Sequence, residues 1–393
     1  MDSPSQVVII GSGPTALGAA LRLNQLIEDG RIAAEVTILE AADRVGGLAS
    51  SVTSPRGFTW DLGVHVTGQS KYDEFLNTID EAVGEWNYIP RCVQASMRHV
   101  FSDCPQKRSS RECYVPYPVQ DSISHFPLEI RQKCEEELMQ LSEKDISNEH
   151  SANFGDFALH TFGETLTELF IRPYNEKVWT VPLCEMAATW VEGRVPRPSS
   201  KQDNGKTQQN VIISNGYSFP FDILISTMPI DILGQISGLA PSLPLKHSKV
   251  ILVGIGIRRP QPPHTEPLSW LYFPQPDTIF YRVTFVSNFN EYLTPNAALF
   301  WSVLYLIKEG IIQENSEIED RWLHVLPYGY PIPSLDRDET LANAQKTLES
   351  NNIYSRGRFG SWRYEVANQD HSFTMGREVI GRIFMGEKEN VHK

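Results

Sequence analysis

The stretch Val7-Val8-Ile9-Ile10-Gly11-Ser12-Gly13-Pro14-Thr15-Ala16 decides the fold. Four consecutive apolar residues, all β-branched, suit a strand buried on both faces of a parallel sheet. Gly11-x-Gly13-x-x-Ala16 follows at once, and Ala19-Ala20-Leu21-Arg22-Leu23 continues as a helix. A second strand is expected over Glu35-Val36-Thr37-Ile38-Leu39-Glu40, which completes a βαβ unit. In such a unit Gly11 permits the tight turn, Gly13 lets backbone N–H groups approach a pyrophosphate, and Ala16 allows close helix–strand packing. The helix N-terminus then faces the anion. Glu40 ends the second strand, where a carboxylate can accept both ribose hydroxyls. The loop Glu28-Asp29-Gly30 absorbs the somewhat long interval before it.

Composition sets the frame around this unit. The chain has 393 residues, 41% of them hydrophobic, with 35 Lys+Arg against 48 Asp+Glu and a net charge of −13. This excludes a disordered chain or a disulfide-stapled mini-protein. So acidic a surface disfavours nucleic acid and anionic lipid, so a phosphate-bearing ligand needs a local concentration of Arg. Residues 1–5 show neither a basic n-region nor a cleavage site, so no signal segment is expected, and the longest apolar stretch, Ala297 to Ile307, is far short of a membrane span. Five cysteines (Cys92, Cys104, Cys113, Cys134 and Cys184) form no C-x-x-C pair, as expected of a reduced cytoplasmic protein without a zinc site. The sequence is compatible with a homo-oligomer and carries no signal for one.

The expected fold class is α/β: a discontinuous Rossmann-like domain with a helical subdomain and an antiparallel β-sheet domain. Its parts are a first dinucleotide-binding segment (1–90), a sheet and loop segment (91–125), and a helical subdomain (126–198). A linker with one truncated strand (199–245), an antiparallel sheet domain (246–335) and a last dinucleotide-binding segment (336–393) complete it. Helical spacing is read at Tyr72–Glu85, Leu128–Leu141 and Phe154–Arg172, and the polar run Ser199–Asn210 is the linker. His99 to Arg111 reads as a loop insertion. Strands are expected at Ile223–Ser226, Lys249–Val253, Trp270–Phe273 and Phe280–Val286, and a final helix at His371–Met385.

After Glu40 comes Ala41-Ala42-Asp43-Arg44-Val45-Gly46-Gly47-Leu48. A glycine pair directly after the acidic strand resembles the FAD-binding arrangement of amine-oxidase-like flavoproteins. Gly46 and Gly47 allow a backbone approach that any Cβ would block. Elsewhere Arg recurs among aromatic residues: Phe170 to Trp179, Gly193-Arg194-Val195, Trp270-Leu271-Tyr272-Phe273, Phe280-Tyr281-Arg282 and Tyr328-Gly329-Tyr330-Pro331. Forked guanidinium donors and phenolic hydroxyls suit phosphate oxygens. No nucleophile elbow and no metal-ligand spacing is present.

These blocks, with Val115–Gln120 and the long run Arg356–Phe373 (RGRFGSWRYEVANQDHSF), resemble eukaryotic, fungal-type UDP-galactopyranose mutase over most of the chain. The resemblance implies an FAD enzyme that interconverts UDP-galactopyranose and UDP-galactofuranose without net redox, after reduction by NADPH. Reduced flavin N5 is the nucleophile that displaces UDP. It further implies that Arg194 and Arg282 grip the diphosphate, with Tyr272, Tyr330 and Tyr364 as phenolic donors. Tyr117, Gln120, Phe170, Asn175 and Trp179 form the uridine pocket, Trp270 lines the sugar site, and His65 belongs to the flavin-proximal loop. Gly11, Gly13, Glu40, Gly46, Gly47, Leu48, Arg358, Asn368, Gln369 and Ser372 are implied FAD contacts.

The chain departs from that family in three places. The segment between Arg194 and Ser226-Thr227-Met228 is short, a strand and part of a helix are missing between Val303 and Ile307, and Val64 replaces a glycine beside His65. These departures lead to an expectation of weak FAD retention. Two other readings accompany the mutase: a mutase-like protein that binds UDP or a UDP-sugar without turnover, and an amine-oxidase-type flavin oxidoreductase. The Arg/Tyr set disfavours the second, because amine substrates call for aromatic walls and few cations.

Overall fold

The computed structural model describes residues 3–63, 66–101, 113–142, 151–192, 209–213, 216–296, 299–302 and 317–392. The chain opens with β1 (Ser5–Ile10), α1 (Pro14–Glu28) and β2 (Ala34–Leu39), the expected βαβ unit. A hairpin of β3 (Ser51–Thr53) and β4 (Thr59–Asp61) follows, then α2 (Asp73–Ala82). Next come β5 (Val93–Ser96) and β6 (Tyr114–Pro116), and the helices α3 (Leu128–Ser142), α4 (Phe154–Leu166), α5 (Arg172–Trp179) and α6 (Thr189–Glu192). The chain continues through β7 (Gln209–Ile212), β8 (Ser218–Phe221), β9 (Ile223–Ser226) and α7 (Ile230–Ser237). Five strands follow: β10 (His247–Arg258), β11 (Trp270–Tyr272), β12 (Arg282–Thr284), β13 (Leu299–Ser302) and β14 (Ile318–Pro331). The described chain ends with α8 (Arg337–Glu349), β15 (Ile353–Ser355) and α9 (Gln369–Met385).

The parallel sheet has the order β15-β9-β1-β2, so segments about two hundred residues apart in sequence meet side by side. Its strand alternation sorts two cores. Val7 and Ile9 face Ala16, Ala19 and Leu23 of α1 with Val379 and Ile380 of α9. Val8 faces Leu233 of α7 and Leu341 and Leu348 of α8. All four strands end on one edge, so the residues after Ile10, Leu39, Ser226 and Ser355 collect there, the edge where open parallel sheets bind ligands.

Several sequence expectations need correction. Gln209 and Asn210, read as linker, belong to β7, which pairs with β8. Val211, Phe219 and Phe221 of this hairpin join the cluster around Val8, so the short run after the linker is a packed element. The helical segment from Phe154 breaks at Gly163, where φ is +80°. Glu137 of α3 causes the break to hold: its carboxylate accepts from Thr165 N (2.8 Å) and Thr165 Oγ1 (2.6 Å), capping the restart. The expected strand Phe280–Val286 is confined to β12, because the chain turns into a short 3₁₀ segment at Val286. The fourteen-residue strand β14 was missed; it pairs with β10 in a sheet ordered β13-β10-β14.

The second large sheet, β12-β11-β5-β6, is mixed rather than purely antiparallel. β11 runs parallel to β5 and antiparallel to β12. Its outer strands come from the 91–125 and 246–335 segments, which therefore share one sheet. Leu271 and Val283 point to one side, into a core with Phe273 and Phe285. Trp270, Tyr272, Arg282 and Thr284 occupy the other side of the pleat, where the site is built.

Candidate functional site

The dinucleotide end is made by two glycine turns laid against each other. Gly11 turns with φ +98°, and its N–H donates to the Leu39 carbonyl at 2.7 Å. Gly13 caps α1 with no side chain of its own, and Pro14 fixes the first helical position. The second turn has φ +104° at Gly46 and +55° at Gly47. Gly46 N donates to Ser12 O at 2.9 Å, and a Cβ on Gly47 would come within 3.3 Å of Gly13 Cα. Leu48 sits in the 3₁₀ turn that follows, its carbonyl 2.8 Å from where a Cβ on Gly63 would lie.

Glu40 stands at the rim of this cradle. Its carboxylate accepts from Ser12 Oγ (2.5 Å) and Ala42 N (2.8 Å). Burial raises its pKa, but these hydrogen bonds outweigh that and hold it below the ordinary glutamate value. The Gly357 turn (φ +94°) closes the third side: a Cβ there would lie 2.9 Å from Thr15 Oγ1 in the first turn of α1. Arg358 follows, donating to the Ala367 carbonyl at 3.0 Å and lying over the Tyr330 ring at 5.8 Å. Asn368 is the N-cap of α9, Gln369 its first residue, and Ser372 is buried in its first turn. Asp370, held down to about 2 by hydrogen bonds from His371 and Ser70 that outweigh burial, ties this helix to the 66–71 loop. Gly11, Gly13, Glu40, Gly46, Gly47, Leu48, Arg358 and the start of α9 thus lie on or beside one edge.

The second half of the site is an aromatic cage around Arg282. Tyr272 and Arg282 are direct partners across β11 and β12. The Tyr272 ring meets Tyr117 at 4.8 Å and Tyr174 at 5.3 Å, and Tyr174 stacks on Phe170 at 5.3 Å. Trp179 contacts Tyr364 at 4.7 Å and Tyr330 at 5.9 Å. Asn175 orients Trp179 by accepting from its Nε1 at 3.3 Å while donating to the Ile171 carbonyl. Lys177 pins the chain after β11 through the carbonyls of Phe273 (2.9 Å) and Gln275 (2.8 Å). Gln120 is half-buried in the 3₁₀ turn after Tyr117.

Electrostatics in the cage centre on Arg282. Burial opposes its charge, but the surrounding phenols Tyr281, Tyr330, Tyr272 and Tyr174 hold its pKa above the ordinary arginine value. Burial pushes Tyr117, Tyr174, Tyr281 and Tyr364 up, so these phenols stay protonated donors. Tyr330 moves the other way: Arg282 and Arg358, with the Tyr281 hydroxyl, outweigh burial and pull it down. An open cleft lies beside Arg282, lined by Trp60, Gly63, Gly254, Thr284, Phe289 and Trp322. Trp60 and Trp322 stack at 5.6 Å, and the Trp60 ring crosses β10 where Gly254 leaves room for it. Trp270 lies farther along the sheet, against Phe289 at 5.6 Å.

Of the site residues expected from sequence, Arg194 and His65 lie outside the described residues, as does Val64. Tyr117, Phe170, Asn175, Trp179, Tyr272, Arg282, Tyr330 and Tyr364 come together in the cage, and Trp270 and Gln120 sit at its margins. Sequence reasoning included Tyr174 and Tyr281 only within the Arg/aromatic segments, without individual roles, and did not single out Trp60 or Trp322. Tyr281 adjoins Arg282 in the sequence, which was the available signal; the tryptophan pair depends on strand pairings that no local pattern carries.

Comparison with known proteins places this geometry. The profile of the NAD(P)-binding Rossmann-like domain family matches residues 9–82. Among solved structures, a reduced UDP-galactopyranose mutase is similar with a TM-score of 0.84 and 30% identity, covering 99% of this chain and 95% of that one. A protein assigned as a protoporphyrinogen oxidase from Exiguobacterium sp. 255-15 shares the fold at TM-score 0.64 and 13% identity, with 98% and 100% coverage. A fatty acid isomerase from P. acnes that produces CLA does so at TM-score 0.58 and 14% identity, with the same coverages. With identity at that level along almost the whole of both chains, this chain belongs to the UDP-galactopyranose mutase family.

Proposed function

We propose that this protein is an FAD-dependent UDP-galactopyranose mutase that interconverts UDP-galactopyranose and UDP-galactofuranose. The observation that carries the reading is the convergence of Arg282 with the phenols of Tyr272, Tyr281 and Tyr330 beside an open cleft. In a chain of net charge −13, a cation set among neutral donors suits a diphosphate and little else. Arg282, joined by Arg194, would bind the diphosphate and stabilise negative charge on the departing UDP. Tyr272, Tyr330 and Tyr364 would donate to its oxygens. Phe170, Tyr117, Asn175, Gln120 and Trp179 would hold uridine. Trp270, packed against Phe289 at the margin of the cleft, would line the sugar site.

The apposed glycine turns leave the space in which a Cβ would obstruct a pyrophosphate, and Glu40 stands where a ribose would be gripped, so the residues fit the adenosine diphosphate half of FAD. Arg358 and the start of α9, with His65, would face the flavin end. When bound and reduced, with NADPH as reductant, FAD would supply the nucleophile for the anomeric carbon. The protein's own groups hold the sugar nucleotide against it and exclude water from the cleft.

The test is turnover of UDP-galactofuranose to UDP-galactopyranose by the FAD-loaded protein. Conversion that appears only after dithionite or NADPH reduction, without net consumption of reductant, supports the mutase. Stoichiometric NADPH oxidation coupled to product would replace it with the oxidoreductase reading.

A further inference from the structure

Arg282 on β12 and Arg358 after β15 are joined by two phenols that span the site. The Arg282 guanidinium lies over the Tyr281 ring at 5.7 Å, and the Tyr281 hydroxyl is 3.2 Å from the Tyr330 hydroxyl. The Arg358 guanidinium lies over the Tyr330 ring at 5.8 Å. Backbone bonds hold this line in place, since Phe273 N donates to Tyr281 O at 2.9 Å and Tyr330 lies in the ladder opposite Ser248.

From this arrangement, and resting on the reading of the site as a UDP-sugar site, we infer that Tyr281 is a positioning residue: its hydroxyl donates to Tyr330 and so leaves the Tyr330 proton for a ligand diphosphate, while its ring seats Arg282. Two arginines beside Tyr330 favour negative charge on its oxygen, so that oxygen is the better acceptor of the pair and Tyr281 the donor. Reversing the bond would spend the Tyr330 proton on a neighbour and point an acceptor at an anion.

The titratable and charged groups facing this pair are Arg282 and Tyr272 from the β11–β12 ladder, Tyr174 from α5, and Arg358 and Tyr364 from the C-terminal segment. Burial acts against ionisation of both phenols. It prevails at Tyr281, whereas Arg282 and the Tyr281 hydroxyl prevail at Tyr330. Tyr330 therefore ionises first, and its phenolate would repel a diphosphate.

Calorimetric titration of UDP into the full chain, from about pH 7 to about pH 10.5, tests this against Tyr281→Phe and Tyr330→Phe. Wild-type affinity should fall on the alkaline side as Tyr330 ionises below the ordinary phenol value. Tyr281→Phe keeps the ring and the fold. It should weaken UDP roughly three- to tenfold near neutrality and move the alkaline fall to higher pH, because the phenolate loses its donor. Tyr330→Phe should abolish the alkaline fall. Ultraviolet titration of tyrosine ionisation without ligand should show the same upward move in Tyr281→Phe. Unchanged affinity, or a loss of affinity with the alkaline fall and the ultraviolet titration unmoved, overturns the inference. If wild type binds no UDP the substrate reading fails, and the ultraviolet titration alone then decides whether Tyr281 donates to Tyr330.

Discussion

Arg356 grips Glu389 with two nitrogens, Nε at 2.6 Å and Nη2 at 2.7 Å, and both side chains are almost sealed from solvent. Glu349 of α8 accepts from the same guanidinium at 2.7 Å, and Arg382 of α9 bridges the two carboxylates. Arg356 immediately precedes Gly357 and Arg358, so the segment after α9 is locked to the turn that faces the first helix. Removing the Glu389 carboxylate leaves the buried Arg356 guanidinium with Glu349 alone among the described residues to balance it, and Glu349 is shared with Arg382, so the charge is only partly compensated.

Replacing Glu389 by Gln should therefore destabilise the protein by about 1.5–3 kcal/mol in chemical denaturation near neutral pH, the loss of a charge-assisted contact with Glu349 still in place. The pH dependence has a definite sign. Burial raises the Glu389 pKa, but Arg356 and Arg382 hold it far below the usual range. The stabilisation is present above the unfolded value near 4.3 and is lost as pH falls towards the folded one. His392, neutral in the fold and pushed down to about 3 by burial and by Arg356, adds a loss that begins near pH 6.5, where the unfolded histidine takes up its proton. Melting temperature should thus decline from about pH 6.5 downward and steepen below about 4.5, and the steepening should flatten in Glu389→Gln.

The α1–α9 crossing makes a second prediction. A Cβ on Gly376 would fall on the Thr15 carbonyl and within 2.7 Å of Ala19 N, while one on Gly18 would meet the Phe373 backbone. Gly376→Ala should cost about 1–3 kcal/mol by urea unfolding through overpacking. Because Thr15 is in the first turn of α1, the variant should also lose dinucleotide affinity. Retained stability would show that the helices separate without strain.

What could be read from sequence and what could not divide along physical lines. Val7–Ile10 and Gly11-x-Gly13 were legible because the turn chemistry is local: φ +98° at Gly11 is a demand of that residue alone. The helix from Gln369 was legible from its periodicity. Strand β14 was not, because charged Glu319-Asp320-Arg321 follow directly on its first residue, Ile318, and it is a strand by virtue of pairing with β10 more than sixty residues earlier. The break at Gly163 depends on a carboxylate from α3, and the role of Tyr281 on a hydroxyl 49 residues away. The site residues named from resemblance included Arg282 and Tyr330 but omitted the phenol between them, because the motif preserves identity without showing contact.

Cofactor retention gives a third prediction. If the Gly11 turn, the Glu40 carboxylate and the Gly46-Gly47 approach hold the adenosine diphosphate half of FAD as proposed, excess FAD should raise the melting temperature in a concentration-dependent way. Ser12→Ala removes the 2.5 Å hydrogen bond to Glu40 and frees the carboxylate to swing. The FAD-induced shift should shrink in this variant while the melting temperature without FAD changes little. An equal shift in both proteins would remove Glu40 from the ribose site.

The last prediction concerns Arg282 itself. It is the only guanidinium among the described residues that both faces Tyr272 across the ladder and lines the cleft. Arg282→Ala should weaken UDP by about 1.5–3 kcal/mol, roughly one to two decades in Kd, as expected for loss of a charge-assisted contact. Arg282→Lys is the more discriminating variant. Lysine keeps the charge but loses the planar fork and its stacking on Tyr281, so binding should recover only in part. Calorimetry separates the contributions: a lysine variant equal to wild type would mean that charge alone holds the diphosphate. An alanine variant equal to wild type would mean that UDP is held elsewhere. Salt provides the internal check. A contact sheltered by Tyr174, Tyr281 and Tyr330 is screened little, so wild-type affinity should change only modestly between low and physiological ionic strength.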